Sequence, residues 1–501
     1  MSIIPLYFAI PLITAFAIPL LGKISKTLVW IVATVVSFVL FILALYGIAL
    51  TQETSMIVYR MGNWPPPLGI VMAFDSFSAF MVLVISIIVF SGCFFSLRYI
   101  GHFTGQWKFY TLYMLITAGM MGIAITGDLF NMFVFLEIAA ISSYCLVAFG
   151  VDAEELEASF KYMVMGEIGG LTFLLAIALL YAKTSTLNLA DISNTISSIG
   201  MTPFFWTILG MLLFAFSIKA ALVPFHTWLP DAHPAAPAPV SSLLSGIFIK
   251  VLGIYTTARI VFNIFGLNRA NAPVFFNILI GIGLLSIAWA GLSALNQKDY
   301  KRLLGYSTVS QIGYIMVGFG IGNYYGVAGA IFYILAHALG KGLLFLTSGS
   351  VVHRTGTRDL DKLAGLGEAM STTAWSYRFG ALSLIGLPPL VGFFAKLFIV
   401  LGAIKAGLLW LAIIAIGLSV LTLSYLLKIE NSVFMKKGKM ADIKKAPFSM
   451  RIAMVFLVIL VLLTGLGFQT LMDFLIGPAA NALLRGVEYA QLVFGSFSLN
   501  F

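Results

Sequence analysis

Apolar runs of about 20 residues, the length a helix needs to cross a bilayer, recur from one end of this 501-residue chain to the other. Spans are expected near 3–21, 28–50, 76–98, 108–126, 129–150, 160–182, 203–225, 240–262, 273–295, 303–320, 324–350, 372–404, 407–428 and 451–472, with ends good to a few residues. That pattern implies an all-α polytopic membrane protein of about 14 transmembrane helices. Charged residues make up 10% of the chain, against roughly 25% in a soluble domain. The connecting loops, mostly under about 20 residues, leave no room for a soluble catalytic domain. Ile3 to Leu21 lacks a basic leader and runs at once into a second span, so it reads as the first span and not as a cleaved signal. Cys93 and Cys145 lie within apolar runs without ligand-like spacing, as small buried hydrophobes, and indicate neither a disulfide nor an iron–sulfur site.

The net charge of +10 invites a nucleic-acid reading, and its distribution rules that out. The odd-numbered loops hold Lys23, Lys26, Arg98, Lys108, Lys161, Lys298, Lys301, Arg302, Arg354, Arg358, Lys362, Arg378, Lys428, Lys436, Lys437, Lys439, Lys444, Lys445 and Arg451. The even loops and the tail hold Arg60, Lys183, Arg259, Arg269, Lys405 and Arg485. This bias of 19 against 6, with 4 more inside spans, places the odd loops in the cytoplasm and both termini outside a cell membrane. The basic excess encodes topology, with contact to anionic lipid. Beyond the last span, Asp473 to Phe501 is too polar to cross, and Leu475, Ala479, Leu483, Leu484 and Val487 form one face of an interfacial helix.

Lys219, Lys250, Lys341 and Lys396 fall inside spans, as do Glu137 and Glu167, and His337 lies one turn before Lys341. Each buried charge costs about 2.5–3.5 kcal/mol even on the lenient insertion scale. Six unpaired charges would cost on the order of 15–20 kcal/mol, so they must face one another or internal water. Basic groups outnumber acids here, so helix-holding ion pairs cannot account for the whole set. A buried lysine beside a carboxylate can be switched between protonated and neutral forms, which suits a proton relay.

Glu137 sits alone in FNMFVFLEIAAISSY, and Lys219 sits in FAFSIKAALVPFHTWLPDAHPAAPAPVSSLLSG. Pro224 breaks the latter helix one turn after the lysine, and Pro230, Pro234, Pro237 and Pro239 prolong the break. Irregular backbone at membrane depth persists only where protein or a water-filled cavity satisfies it. His226 and His233 flank this break as hydrogen-bonding groups or proton carriers. Lys250 follows in LLSGIFIKVLGIY, and HALGK places His337 and Lys341 on one helix face. A metal site at that pair would need further ligands that the helix lacks. Lys396 follows the Pro-Pro and Gly break of IGLPPLVGFFAKLF. Glu167 could pair with Lys219 or Lys250 or serve as an entry group. Asp75 and Asp128, at span ends, read as solvated, and Asp152, Glu154, Glu155 and Glu157 read as a solvated or subunit-facing acidic loop.

The chain divides into an N-terminal three-helix part (1–107), a five-helix block (108–262), a second five-helix block (273–428) and a C-terminal helix with an amphipathic tail (429–501). In each block the fourth span is broken by proline and carries a lysine. An odd helix number makes the second block enter from the opposite side, giving an inverted repeat, and paired broken helices point to a transport site.

These residues resemble a known family over nearly the whole chain. It comprises the antiporter-like subunits shared by respiratory complex I, Mrp-type cation/proton antiporters and membrane-bound hydrogenases. The resemblance rests on FVFLEIAAISSYCLVAFG, KAALVPFHTWLPDAHPAAPAPVSSLLSG, KDYKRLLGYSTVSQIGYI, HALGKGLLFLTSG and GLPPLVGFFAKLF, and is strongest to the D-type member of the Mrp antiporters and its hydrogenase counterpart. It implies that Glu137 and Lys219 form a switching ion pair, with Lys250 as a relay lysine. It further implies that His337 and Lys341 are the central groups, and Lys396 the ionisable group of the second broken helix. Glu167 is not part of that pattern.

The expected function is proton translocation along this line in a multi-subunit complex, coupled to Na⁺/H⁺ antiport or to a redox module. Protons would enter near Lys250 and leave near Lys396. The subunit is not catalytic alone, and no cofactor or metal is expected in it. A lysine-rich line repels cations, so Na⁺ would pass through a neighbouring subunit. The alternatives are a quinone-binding redox subunit, which lacks ligands here, and a passive scaffold, which would tolerate neutral substitution at Lys341.

Overall fold

The computed structural model describes residues 3–103, 105–438, 440 and 443–495. Lys439 of the basic loop and positions 496–501 of the tail lie outside the described residues. The chain begins with α1 (Leu6–Leu21) and α2 (Lys26–Glu53), followed by an antiparallel hairpin of β1 (Met56–Arg60) and β2 (Val71–Asp75). Next come α3 (Ser76–Tyr99), α4 (Gln106–Ile125), α5 (Leu129–Val147), α6 (Ala153–Thr184) and a short α7 (Leu189–Ile199). The first broken helix is α8 (Pro203–Lys219) with α9 (Trp228–Ala235). It leads into α10 (Ala238–Ile264), α11 (Pro273–Leu295), α12 (Tyr300–Ile321) and α13 (Tyr324–Thr355). The second broken helix is α14 (Ser371–Ile385) with α15 (Val391–Lys405), before α16 (Leu409–Met435) and α17 (Phe448–Leu466). Two short helices close the described chain, α18 (Gly477–Leu484) and α19 (Glu488–Gly495).

Each expected span contains helix, and among the described residues ten helices are long and apolar enough to cross a membrane. Their burial separates core from rim. The most apolar stretches of α10 and α13 are wholly enclosed, whereas only about a third or less of those of α2 and α16 is buried. Apolar character alone cannot sort them, because lipid and protein core are equally welcoming to Leu and Ile. What marks α10 and α13 is their polar content. Ser245, Lys250, Thr256, His337, Lys341 and Thr347 are all buried, and such groups must find partners inside the protein.

The helix ends follow ordinary capping chemistry. Asp75, Asp128, Asp299 and Asn323 each accept a backbone N–H from the first turn of the helix they precede. For Asp75 and Asp128 this overturns the solvated reading, since both are buried. Asp75 also holds Arg259 in a two-pronged pair at 2.6 and 2.8 Å. Arg259 is therefore no outer-loop residue: it lies within α10, 3% exposed, and adds bonds to Asn263, Ser78 and Tyr255. The tail closes over this cluster. Asn263 donates to the carbonyls of Ala482 and Leu483, and the guanidinium of Arg259 faces the Tyr489 ring. Of the face expected to lie at the membrane surface, Leu475, Ala479 and Leu483 are instead buried within the protein, Leu484 is half-buried and Val487 is exposed. Cys93 is buried and Cys145 is exposed on α5, against the expectation of two buried thiols.

Candidate functional site

Lys219 is the last residue of α8, where the unpaired carbonyls of a helix C-terminus favour a cation. The break that follows is satisfied by protein groups. Val223 N–H donates to Ser286 Oγ at 3.0 Å, and Trp228 Nε1 donates to the Ile218 carbonyl at 3.1 Å. The break holds the lysine, 4% exposed, with its Nζ 3.6 Å from Glu137 Oε1. That distance is a charge pair and not yet a hydrogen bond. Gly170 of α6 makes the approach possible, since a Cβ there would stand 2.5 Å from Glu137 Oε1. Glu167, one turn before Gly170, acts electrostatically on both members of the pair. Of the two lysines considered for it, Lys219 is the one on which it acts.

Lys250 and Lys341 are fully buried, and among the described residues neither is paired with a carboxylate, so of the two expectations, charges facing one another or internal water, the first does not hold for them. Backbone and hydroxyl oxygens take that role. Around Lys250, α10 winds in wide π-type turns, which release carbonyls from regular pairing. Lys250 Nζ donates to the Ser245 carbonyl at 2.7 Å and to that of Gly246. Lys341 Nζ donates to Ser307 Oγ at 2.7 Å and to the Leu304 carbonyl at 3.0 Å, both on α12. His337 is enclosed, neither ring nitrogen has a hydrogen-bond partner among the described residues, and Lys250, Lys341 and His233 act on it electrostatically.

A polar bridge that sequence reasoning missed continues from this centre. Tyr333, one turn before His337, donates to Gln311 Oε1. Gln311 Nε2 in turn donates to Tyr425 and Thr422, at 2.6 and 2.9 Å. Tyr314, one turn beyond Gln311, faces Lys396, whose Nζ lies 4.9 Å from the ring centre and donates to the Ile385 carbonyl at 3.0 Å. Lys396 is only partly buried and lines a cavity of about 260 Å³ between α15 and α16. Seryl, threonyl and tyrosyl groups at helical spacing were the available signal, but such residues are common in any helix.

His226 is nearly buried beside Tyr306, and His233 is fully buried against Phe345. Lys301 departs from its reading as a loop residue. It is 3% exposed, donates to the Ala236 carbonyl at 2.5 Å, and lines a cavity of about 760 Å³ at the face that carries the basic loops. Burial and then the Arg358 charge push its ammonium down to about 7, while Asp299, Glu155 and Glu154 pull the other way. The acidic loop is partly engaged at the same cavity, with Glu154 paired to Arg358 and Glu155 bonded to the Asp152 N–H.

Residues 126–422 match the family described as NADH:quinone oxidoreductase/Mrp antiporter, TM. The chain is 35% identical over 387 residues to the D subunit of the Na(+)/H(+) antiporter of Alkalihalophilus pseudofirmus, covering 77% of this chain and 78% of that protein. It is 33% identical over 434 residues to the N subunit of the NADH-quinone oxidoreductase of Desulforudis audaxviator, covering 85% of each. Among solved structures, a chain of the membrane-bound sulfane sulfur reductase, an archaeal respiratory membrane complex, superposes with a TM-score of 0.91 at 30% identity. That match covers 98% of this chain and 99% of the other.

Proposed function

Because this chain belongs to the NADH:quinone oxidoreductase/Mrp antiporter transmembrane family, we propose that it carries protons across the cell membrane as one subunit of a multi-subunit complex. The proton line runs through Glu137, Lys219, Lys250, His337, Lys341 and Lys396. One observation carries this reading: the two most enclosed helices, α10 and α13, hold two lysines and a histidine that have no carboxylate partner among the described residues. Such groups are poor structural cement, since each lysine bears its desolvation cost without an opposite charge. They suit a chain of sites that gain and lose a proton in turn.

Glu137 and Lys219 form the switch. At about 4 Å and an effective dielectric near 20 their attraction is worth about 4 kcal/mol, so closing the pair favours the proton on Lys219 and opening it releases the proton inward. Glu167 is an accessory group that shifts that balance. Fourteen spans, with 108–262 and 273–428 as inverted repeats, put both termini outside and the ionic cavity at the cytoplasmic face. Lys396, at the rim of the second repeat, is the outlet. Neighbouring membrane subunits and lipid cover the outer helices, and Na⁺, where it is the coupled ion, crosses in another subunit.

The test uses native membranes carrying the intact complex and a pH-sensitive dye. Lys341→Ala should slow proton transport by at least about tenfold while the complex is extracted in normal amount. Undiminished transport in Lys341→Ala would make the chain a scaffold.

A further inference from the structure

The 760 Å³ cavity has an ionic wall whose shape is held by one arginine. Arg358 bonds Glu154 at 2.8 Å, Asp299 at 3.1 Å and the Pro234 carbonyl at 2.6 Å. It thereby ties three loops to the end of the first broken helix. Lys301 lines this cavity, yet its own side chain is almost completely buried and bonded to the Ala236 carbonyl just past α9. Lys301 therefore stands between the aqueous cavity and the protein interior.

His233 is the next group inward. It lies in α9, fully enclosed, and neither ring nitrogen has a hydrogen-bond partner among the described residues. Gly305, one turn along α12 from Lys301, packs against α9 at this point, where a Cβ would stand 3.0 Å from Pro230 Cα and 3.4 Å from His233 Cδ2. Lys341 reaches the same stretch of α12 through Leu304 and Ser307. Lys301, His233 and Lys341 thus meet α12 between residues 301 and 307, about 9 Å of helix. The charged groups acting on His233 are Lys301 and Lys341.

We propose that Lys301 and His233 form the inlet by which protons pass from the cytoplasmic cavity to Lys341, an inference that rests on the proton-carrying reading above. A proton from cavity water binds the neutral Lys301 amine. The ammonium gives it to one ring nitrogen of His233, and the imidazolium passes a proton to the neutral Lys341 amine. Each donor nitrogen is left neutral, so one charge moves inward per cycle. A Lys301 that titrates near neutrality populates both of the forms this needs.

The experiment compares variants in native membranes with the intact complex, following proton uptake with a pH dye. Lys301→Ala should slow uptake by at least about tenfold. Imidazole on the cavity side should restore a large part of it, since the vacated place adjoins open water. Lys301→Arg keeps a cation and a donor for Ala236 but cannot release a proton, so it too should be slow. His233→Gln should fall equally, without rescue. Uptake at the wild-type rate in Lys301→Arg or His233→Gln, or no imidazole rescue of Lys301→Ala, overturns the inlet. Lys341→Ala separates the two readings: if it is inactive while the Lys301 and His233 variants run at full rate, only the inlet fails. If Lys341→Ala is active, the central line fails first.

Discussion

At the scale of single residues, the site depends on small side chains as much as on charged ones. Glu137 and Lys219 approach to 3.6 Å only because Gly170 faces them. Gly170→Ala should push the carboxylate aside at little packing cost, since the Glu137 oxygen it meets is the free end of a flexible side chain. Proton transport should then fall about tenfold while the complex still assembles; a wild-type rate would disconnect the pair from transport. Lys219→Ala and Glu137→Ala should each abolish coupled transport, read as loss of dye response in energised membranes. Lys301 makes a different prediction. Burial and Arg358 hold it near 7 in the folded protein, against 10.5 when exposed. Between those values the unfolded chain binds more protons than the folded one, so stability rises with pH. Below pH 7 the full penalty is present. Lys301→Met should therefore raise the thermal midpoint of the detergent-solubilised protein at pH 6 and by less at pH 10, and an equal gain at both would refute the shift.

At the scale of elements, two irregularities create the binding of cations. The break between α8 and α9 leaves Lys219 at a helix end, with Ser286 and Trp228 satisfying the freed backbone. The wide turns of α10 supply carbonyls to Lys250, with no acidic partner among the described residues. The same helix carries Arg259, which knits α3, α10 and the tail through Asp75, Asn263 and Tyr489. Removing one partner of such a buried pair leaves the other uncompensated. Asp75→Ala should thus destabilise by about 3–5 kcal/mol, and Asp75→Ala with Arg259→Leu by less than Asp75→Ala alone. Thermal unfolding of the solubilised protein would show the difference. The broken helices were legible in the sequence because proline announces them. The π-type turns were not, because no residue type encodes them: they arise from how α10 fits among its neighbours. For the same reason Asp75 and Arg259, 184 residues apart, looked like two separate span ends.

At the scale of the whole molecule, the asymmetry of basic loops predicts a labelling pattern. With Cys93 and Cys145 replaced, a cysteine at Lys437 should react with an impermeant maleimide only from the cytoplasmic side, and one at Ala270 only from outside. The reverse pattern would invert the proposed entry and exit. The ladder of spans, the two proline breaks and the identity of the ionisable residues were determined by sequence alone, because bilayer thickness and the cost of buried charge act on each segment independently. Which oxygen or carboxylate each charge would find was decided by the tertiary structure. Glu137 met Lys219, Lys250 and Lys341 met carbonyls and a serine, Lys301 left its loop for the interior, and Arg259 met Asp75. Partner choice inside a membrane depends on distances between helices that are far apart in the chain, and hydropathy carries no record of those distances.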